Sequence, residues 1–435
     1  MTNLQVKQQN FAVAGNPVSH SLSPLLFGDF VAQTGQNYCY SRVLAKNTGQ
    51  IMEIVEAFNI RGMNITSPFK QDILKFVDFK SENVLDLNAA NTLVFNEQIS
   101  AYNSDVSGVK ISLGKQIGHS RKAIVLGAGG AAKAAVLALK KSGYEEVFIA
   151  NRTENKAKEI AEKFEITAVL FEDIGNKYFD VIINTIPLFV EPVNNLKITV
   201  RSIVFDANYK NKPLKDIAKR KNAIYIDGIE WLIAQGIESY SRMTGFKTKD
   251  LHLEKEDIEK IKDRSQTITL IGSMASGKSK VGRNLAKKLG FDFVDMDDII
   301  VSSEGRSIND IFESEGEDYF RKIEKQFLQK LISKDKIVIS TGGGIIKDDE
   351  NIRTLKSNCW NILLYASSGV RSSRINTDKR PLLKGKNVKS IMDKLFSERK
   401  NKYFKASDVI INRNNNDLIK DIELIYEDYN KAFGV

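Results

Sequence analysis

Two glycine-rich loops of different design stand far apart in this chain. Gly272-Ser-Met-Ala275-Ser276-Gly277-Lys278-Ser279 fits G-x-x-x-x-G-K-[ST]. Backbone amides of such a loop wrap a nucleotide's phosphates, the lysine offsets their charge, and the Ser279 hydroxyl can ligate Mg2+. Upstream lies Gly127-Ala128-Gly129-Gly130-Ala131-Ala132. Here Gly127 and Gly129 let the backbone turn tightly and approach a pyrophosphate, and Ala132 permits close helix–strand packing. The downstream loop handles a nucleoside triphosphate and the upstream one a dinucleotide. One polypeptide thus carries a redox module and a phosphoryl-transfer module in series.

The strand after the dinucleotide turn selects the cofactor. An NAD site usually ends that strand in an acid that holds the ribose 2′-hydroxyl. Here it ends in Ala150-Asn151-Arg152-Thr153, with Lys156 shortly after. Cations bind a 2′-phosphate that an acid would repel, so NADP(H) is expected.

Each loop needs a strand before it and a helix after it. Ala123–Leu126, a helix over Ala131–Lys141 and Glu146–Ala150 make one βαβ unit, with further strands at Asp180–Asn184 and Ile203–Asp206. Thr267–Ile271 feeds the triphosphate loop, a helix follows over Lys278–Leu289, and Ile337–Ser340 and Asn361–Tyr365 read as buried strands. Nearer the start, Phe11–Gly15 reads as a strand and Gly49–Phe58 as a helix. The expected class is α/β throughout. A substrate-binding domain over 1–118 precedes a Rossmann-type NADP domain over 119–245. A charged linker over 246–266 then leads to a P-loop NTPase-type parallel α/β domain over 267–435.

Composition narrows the partners. The 435 residues are 42% hydrophobic and 27% charged, the balance of a soluble globular protein. No apolar run approaches the ~20 residues that span a bilayer, and Met1–Asn10 is polar, unlike a secretory signal. Cys39 and Cys359 lack metal-type spacing and read as free thiols in a reducing cytoplasm. The net charge of +10 comes from basic residues interleaved with acids, as in Lys255-Glu256-Asp257. That pattern suits small anionic ligands, not nucleic acid. Monomer and homodimer both stay open.

The motifs before and after the dinucleotide loop carry a resemblance. Gly15-Asn-Pro-Val-Ser-His20-Ser21-Leu-Ser23-Pro24, Gly62-Met-Asn-Ile-Thr66-Ser-Pro-Phe-Lys70, Ala90-Asn91-Thr92, Asn103-Ser104-Asp105, Asp227-Gly228 and Gln235-Gly236 occur in order. From Phe11 to about Gly245 the chain resembles shikimate dehydrogenase. The resemblance implies reduction of 3-dehydroshikimate with NADPH, with Lys70 and Asp105 as the catalytic pair. Hydride delivery to a ketone leaves an alkoxide, and a lysine beside a carboxylate can protonate it. The resemblance further implies that Ser21, Ser23, Thr66, Asn91, Tyr209 and Gln235 hold the substrate, and that Ala207 and Gly228 flank the cofactor. Three features depart from the family: Phe27 stands for a usual His, Phe189-Val190 for a Gly-Met pair, and the stretch after Tyr209 is shortened.

From Thr267 onward the chain resembles shikimate kinase. The motifs are Phe293-Val-Asp295-Met-Asp297, Phe320-Arg321-Lys-Ile-Glu324, Ser340-Thr-Gly342-Gly343-Gly344, Arg380-Pro-Leu-Leu383, and Arg399 with Tyr403. The resemblance implies that Asp295 holds Mg2+, that Asp297 accepts the proton of the acceptor hydroxyl, and that Arg321 and Arg399 fork onto a carboxylate. It implies further that Gly343 lets backbone approach the ring, while Arg380 rides a polar lid over residues 376–387. ATP is the expected donor. Ala275 replaces a usual Gly, which requires a negative φ there, and Lys280 replaces a usual Thr. Two rivals remain: an NAD-dependent quinate/shikimate dehydrogenase fused to a kinase, and a non-catalytic N-terminal binding module on an active kinase.

Overall fold

The computed structural model describes residues 7–114, 122–186, 196–208, 212–247, 249, 251, 253, 266–374, 387–415 and 417–434. The chain forms two compact units, residues 1–69 together with 261–435, and residues 70–260. In chain order the first segment supplies β1 (Gln9–Gly15), β2 (Tyr38–Leu44) and β3 (Ile60–Ile65). The second unit supplies β4 (Phe79–Lys80), β5 (Thr92–Phe95), β6 (Ile99–Tyr102), β7 (Lys122–Leu126), β8 (Glu146–Ala150), β9 (Thr167–Ala168), β10 (Val181–Asn184), β11 (Ile203–Asp206) and β12 (Ile224–Ile226). The C-terminal segment adds β13 (Ile268–Ile271), β14 (Asp292–Asp295), β15 (Ile337–Ser340), β16 (Trp360–Tyr365) and β17 (Val409–Asn412).

In the second unit a parallel sheet runs β9-β8-β7-β10-β11-β12. Numbered from β7, this is the 3-2-1-4-5-6 order of a dinucleotide-binding fold, with order reversing beside β7. The turn after β7 therefore opens at the crevice where such folds take ligands. The helix Gly130–Lys141 buries Ala132, Ala134, Ala135, Val136, Leu137, Ala138 and Leu139. Its alanines keep it close to the sheet.

The other unit is built on parallel strands in the order β14-β15-β13-β16-β17-β2-β1-β3. The C-terminal strands and the N-terminal strands thus share one sheet, joined where Val409, Ile410 and Ile411 pair with Arg42, Val43 and Leu44. β13 and β15 are buried along their whole length, as expected of parallel strands covered on both faces. The joint is packed as a core. Val13, Val18 and Leu44 share an apolar cluster with Leu364, Ile411, Leu424 and Tyr429, and Phe58 meets Tyr365, Phe396 and Phe404. Phe27 is also a core residue, with its ring against Phe11 and Tyr40.

The helix Lys278–Leu289 presents Val281, Gly282, Leu285 and Ala286 to this core and stops at Gly290, whose φ of 70 suits a residue without Cβ. Burial pushes the Cys39 thiol up to about 11 and the Cys359 thiol to about 12, which disfavours the reactive thiolate. Among the described residues no helix is long and apolar enough to cross a membrane.

Candidate active sites

In the unit of residues 70–260, Lys70 Nζ donates to Asp105 Oδ2 over 2.6 Å, and both side chains stay partly open to solvent. Asp105 is fixed from two sides. Its N–H donates to Asn103 Oδ1 at 3.1 Å, and its carbonyl accepts from Trp231 Nε1 at 3.0 Å. Asn103 caps the helix Ser104–Leu113, so the carboxylate sits in that helix's first turn, where its charge is favoured. The Lys70 carbonyl accepts from Ala90 N at 2.8 Å. Next to this pair, Ser104 is a hub. Its N–H donates to Asn91 Oδ1 at 2.9 Å, its hydroxyl accepts from Asn91 Nδ2 at 3.0 Å, and that hydroxyl also meets Gln235 Oε1 at 3.3 Å and Ser239 Oγ at 2.9 Å. Asn91 and Gln235 are thereby brought together. Ser104 stands in a motif but carries no role there, and Ser239 stands in none, because a buried serine pair has no periodic signature.

The dinucleotide turn has the geometry its glycines imply. Gly127 has φ 107, and a Cβ there would lie 2.3 Å from Thr185 Oγ1. Its N–H donates to the Ala150 carbonyl at 2.8 Å, tying the turn to the end of β8. Gly129 caps the helix Gly130–Lys141, and a Cβ at Gly129 or Gly130 would meet nothing within 4 Å. Among the described residues that approach is open, and with a helix N-terminus aimed into it, it fits a pyrophosphate. Ala128 and Ala131 pack beside the core. At the end of β8, Arg152, Thr153 and Lys156 are exposed, while Asn151 Nδ2 donates to the Thr153 carbonyl at 2.9 Å. Gly228 is needed because a Cβ would lie 2.7 Å from the Ala207 carbonyl oxygen.

In the N-terminal segment, Ser21 Oγ and Ser23 Oγ are 3.2 Å apart. Thr66 donates its N–H to the Ala14 carbonyl at 2.9 Å, and its methyl occupies the space a Cβ on Gly15 would need. Tyr209, Phe189, Val190, Arg380 and the lid segment 376–386 lie outside the described residues, as does the linker from 254 to 265.

The triphosphate loop lines a cavity of about 540 Å³ together with Asp295, Asp297, Gly343, Arg371, Arg399 and Tyr403. Lys278 Nζ donates to the carbonyls of Gly272 (2.9 Å) and Ser273 (3.2 Å). Gly277, at φ 93, opens the helix Lys278–Leu289. Asp295 caps the next helix by accepting from Asp297 N at 3.1 Å. Burial, and then the neighbouring Asp295, hold the Asp297 carboxyl above its usual range, with Lys278 pulling the other way. Arg399 Nη1 and Tyr403 Oη donate to the Gly343 carbonyl at 3.3 and 2.5 Å.

The triple glycine has a separate reason at each flank. A Cβ at Gly342 would lie 2.5 Å from Glu324 Oε1, and one at Gly344 would lie 2.3 Å from Arg321 Nη2. Arg321 is clamped by Glu324 (2.6 Å) and Glu317 (3.0 Å). Burial raises the Glu324 carboxyl, opposed by Arg321, and its Oε1 is buried without a hydrogen-bond partner among the described residues. Among the described residues no three His, Cys, Asp or Glu side chains gather as a metal cage. The hard oxygens of Ser279 and Asp295 on one cavity suit an Mg2+ ion that keeps water and phosphate ligands.

One expectation is overturned. Ala275 has φ 65, not a negative value. The loop turns left-handed there, which explains the usual glycine, and an L-residue holds that conformation at a cost of about 1–2 kcal/mol. Lys280 is exposed on the first turn of the following helix. Sequence reasoning also missed Arg413. It is 3% exposed, donates to the Ser276 carbonyl at 3.0 Å and is held by Asp421 at 2.8 Å. A lone arginine after a strand carries no motif.

Three family models match the chain: the shikimate dehydrogenase substrate binding domain over residues 13–93, shikimate / quinate 5-dehydrogenase over 112–189, and shikimate kinase over 274–429. A shikimate dehydrogenase (NADP(+)) of Maridesulfovibrio salexigens is 31% identical over 264 residues, covering 56% of this chain and 96% of that one. A shikimate kinase of Persephonella marina is 46% identical over 142 residues, covering 32% of this chain and 85% of that one. Among solved structures, the Thermus thermophilus shikimate 5-dehydrogenase in complex with NADP(H) and shikimate superposes with a TM-score of 0.51. It is 27% identical, covering 58% of this chain and 98% of that one.

Proposed function

This chain belongs to the shikimate dehydrogenase family in its N-terminal part and to the shikimate kinase family in its C-terminal part, and from that premise we propose a bifunctional enzyme whose first product is its second substrate. Residues 1–245 reduce 3-dehydroshikimate to shikimate, and residues 267–435 phosphorylate shikimate at its 3-hydroxyl. The observation that carries this reading is the coexistence in one chain of a Lys70–Asp105 pair at 2.6 Å and a phosphate-loop cavity holding Lys278, Asp297 and Arg399.

In the reduction, bound NADPH supplies the hydride. Gly127 to Ala131 take its pyrophosphate, and Arg152, with Asn151, Thr153 and Lys156 nearby, takes the 2′-phosphate. Ala207 and Gly228 flank the cofactor. Lys70 donates a proton to the oxygen that was the carbonyl, and Asp105 keeps its ammonium in place. Ser21, Ser23, Thr66, Asn91, Tyr209 and Gln235 hold the substrate's carboxylate and hydroxyls.

In the phosphoryl transfer, Ser279 and Asp295 hold Mg2+, which offsets charge on the ATP phosphates. Lys278 and the amides from Ala275 to Lys280 hold the phosphates, and Arg380 closes over them. Asp297 accepts the proton of the attacking hydroxyl, a role served by its raised carboxyl pKa. Arg321 and Arg399 bind the shikimate carboxylate beside Gly343.

A split assay tests the whole reading. Shikimate alone should reduce NADP+, and shikimate with MgATP should release ADP. Lys70→Ala should remove the first activity and spare the second, and Lys278→Ala should do the reverse. Loss of both activities from either substitution in folded protein would overturn the two-site reading.

A further inference from the structure

Residues 16–22 join β1 to a helix without forming helix or strand, yet they carry Ser21 and lead directly into Ser23. The helix that follows has no side-chain cap of its own, because its N-cap is Leu22. Something else must fix this loop, and the structure shows what does. Val18 N and Ser19 N both donate to Asp428 Oδ1, at 2.5 and 2.8 Å, and Ser19 Oγ donates to Asp428 Oδ2. Asp428 is 2% exposed and lies on Leu418–Phe433, the last helix of the chain.

Val18 is buried in the same apolar cluster as Leu424, Ile425 and Tyr429 of that helix. The loop then folds back, with Ser21 N donating to the Val18 carbonyl at 3.0 Å. At the far side the Ser21 carbonyl accepts from Arg42 Nη2 at 2.7 Å, and the Arg42 guanidinium lies over the Trp360 ring at 5.2 Å. Asn16 N also donates to the Ser67 carbonyl at 3.0 Å at the start of the loop, but the anchors around Val18 to Ser21 are Asp428 of the C-terminal part and an Arg42 that leans on Trp360 there. Asp428 lines no part of the cavity at the triphosphate loop.

We propose that Asp428, a residue of the kinase part, is a positioning residue for the dehydrogenase reaction: it sets the Ser21 and Ser23 hydroxyls at the substrate carboxylate. This rests on the reading that those two serines bind substrate. A buried carboxylate that accepts two backbone N–H groups and a hydroxyl fixes three donors at once, as a mobile water would not. Its loss loosens ground-state and transition-state binding alike, so KM carries the effect and kcat does not.

The test uses the full chain with Asp428→Ala, Asp428→Asn and Ser21→Ala, measuring KM and kcat for both activities. Asp428→Ala should raise the dehydrogenase KM for shikimate by about tenfold or more. Its kcat and both kinase constants should stay within about twofold. Asp428→Asn keeps an oxygen for the two N–H groups and offers its amide to Ser19 Oγ, so it should bring KM back to within about threefold of the parent. An unchanged KM in Asp428→Ala, with a raised one in Ser21→Ala, would overturn the proposal. Parallel loss of both activities, or an asparagine variant no better than alanine, would overturn it too, since either would mark a merely structural role. An unchanged KM in Ser21→Ala would remove the substrate reading and the proposal with it. Should Asp428→Ala fail to fold, Ser19→Ala breaks the hydroxyl–carboxylate bond from the loop side and is read the same way, against intact kinase activity.

Discussion

Replacing Gly344 by alanine should cripple phosphoryl transfer through a side chain that is itself unchanged. A methyl group there would lie 2.3 Å from Nη2 of Arg321 and 2.5 Å from its Cζ. Backbone strain plays no part, because Gly344 has φ −106. Arg321 must therefore move, although it is clamped. Moving it stretches the 2.6 Å bond to Glu324, whose carboxylate is fully buried and depends on that cation. On the proposed function, in which Arg321 forks onto the substrate carboxylate, its displacement also costs that contact. A hydrogen bond to a charged partner contributes about 1.5–3 kcal/mol, so kcat/KM for shikimate should fall roughly 10- to 160-fold. The assay is ADP release at varied shikimate under saturating MgATP. NADP+ reduction by the same sample measures how much chain is folded. A kcat/KM within about twofold of the parent, in a sample with full reductase activity, would refute the reasoning. Arg321 would then either have slack or stay clear of the substrate.

Three further outcomes are expected. Arg152→Ala should lower kcat/KM for NADP+ by about 10- to 100-fold and leave that for NAD+ nearly unchanged, by removing a cation from the 2′-phosphate; steady-state kinetics with the two cofactors checks this. Ala275→Gly relieves a left-handed alanine at about 1–2 kcal/mol and gives back about 0.4–1 kcal/mol of unfolded-chain entropy. The net gain of up to about 1.6 kcal/mol should appear as a higher urea midpoint. For pH, Asp297 must be ionised to accept a proton, and burial, then neighbouring negative charge from Asp295 and, less, Asp298, hold its carboxyl up against Lys278. Asp298→Asn removes one such charge, so the acid limb of the kinase kcat/KM profile should move to lower pH, by about a few tenths of a unit for this exposed side chain.

Local pattern reveals some features of this molecule and hides others. β8, β11, β15 and the helix Lys278–Leu289 fall where alternation, apolar runs and loop chemistry place them. Both glycine loops are equally plain, because a phosphate cradle is built from consecutive residues. Lys70 and Asp105 are different, since neither has a local signal and only the order of motifs sets them apart. The Ser104 hub, the Glu324 clamp and Arg413 went unread because each is defined by partners distant in sequence. Ala275 departs from its expected negative φ because a residue's type restricts φ without fixing it, and the loop imposes the left-handed value. The pairing of β2 with β17 is the least legible feature. Ser41 and Arg42 look like an ordinary polar stretch until their neighbour is known.

That pairing also sets a clock for biosynthesis. Ser41 and Ser407, hydrogen-bonded across the joint, are 366 residues apart in sequence. At about 5–20 residues per second, roughly 20–70 s pass between the emergence of one strand and the arrival of the other. Through that interval β2 offers an open edge, the kind of surface that templates aggregation. The nascent chain must keep that edge covered by other means until its last strand is made. Messages or nonsense alleles that stop short of Val409 should therefore yield insoluble protein, not a working reductase.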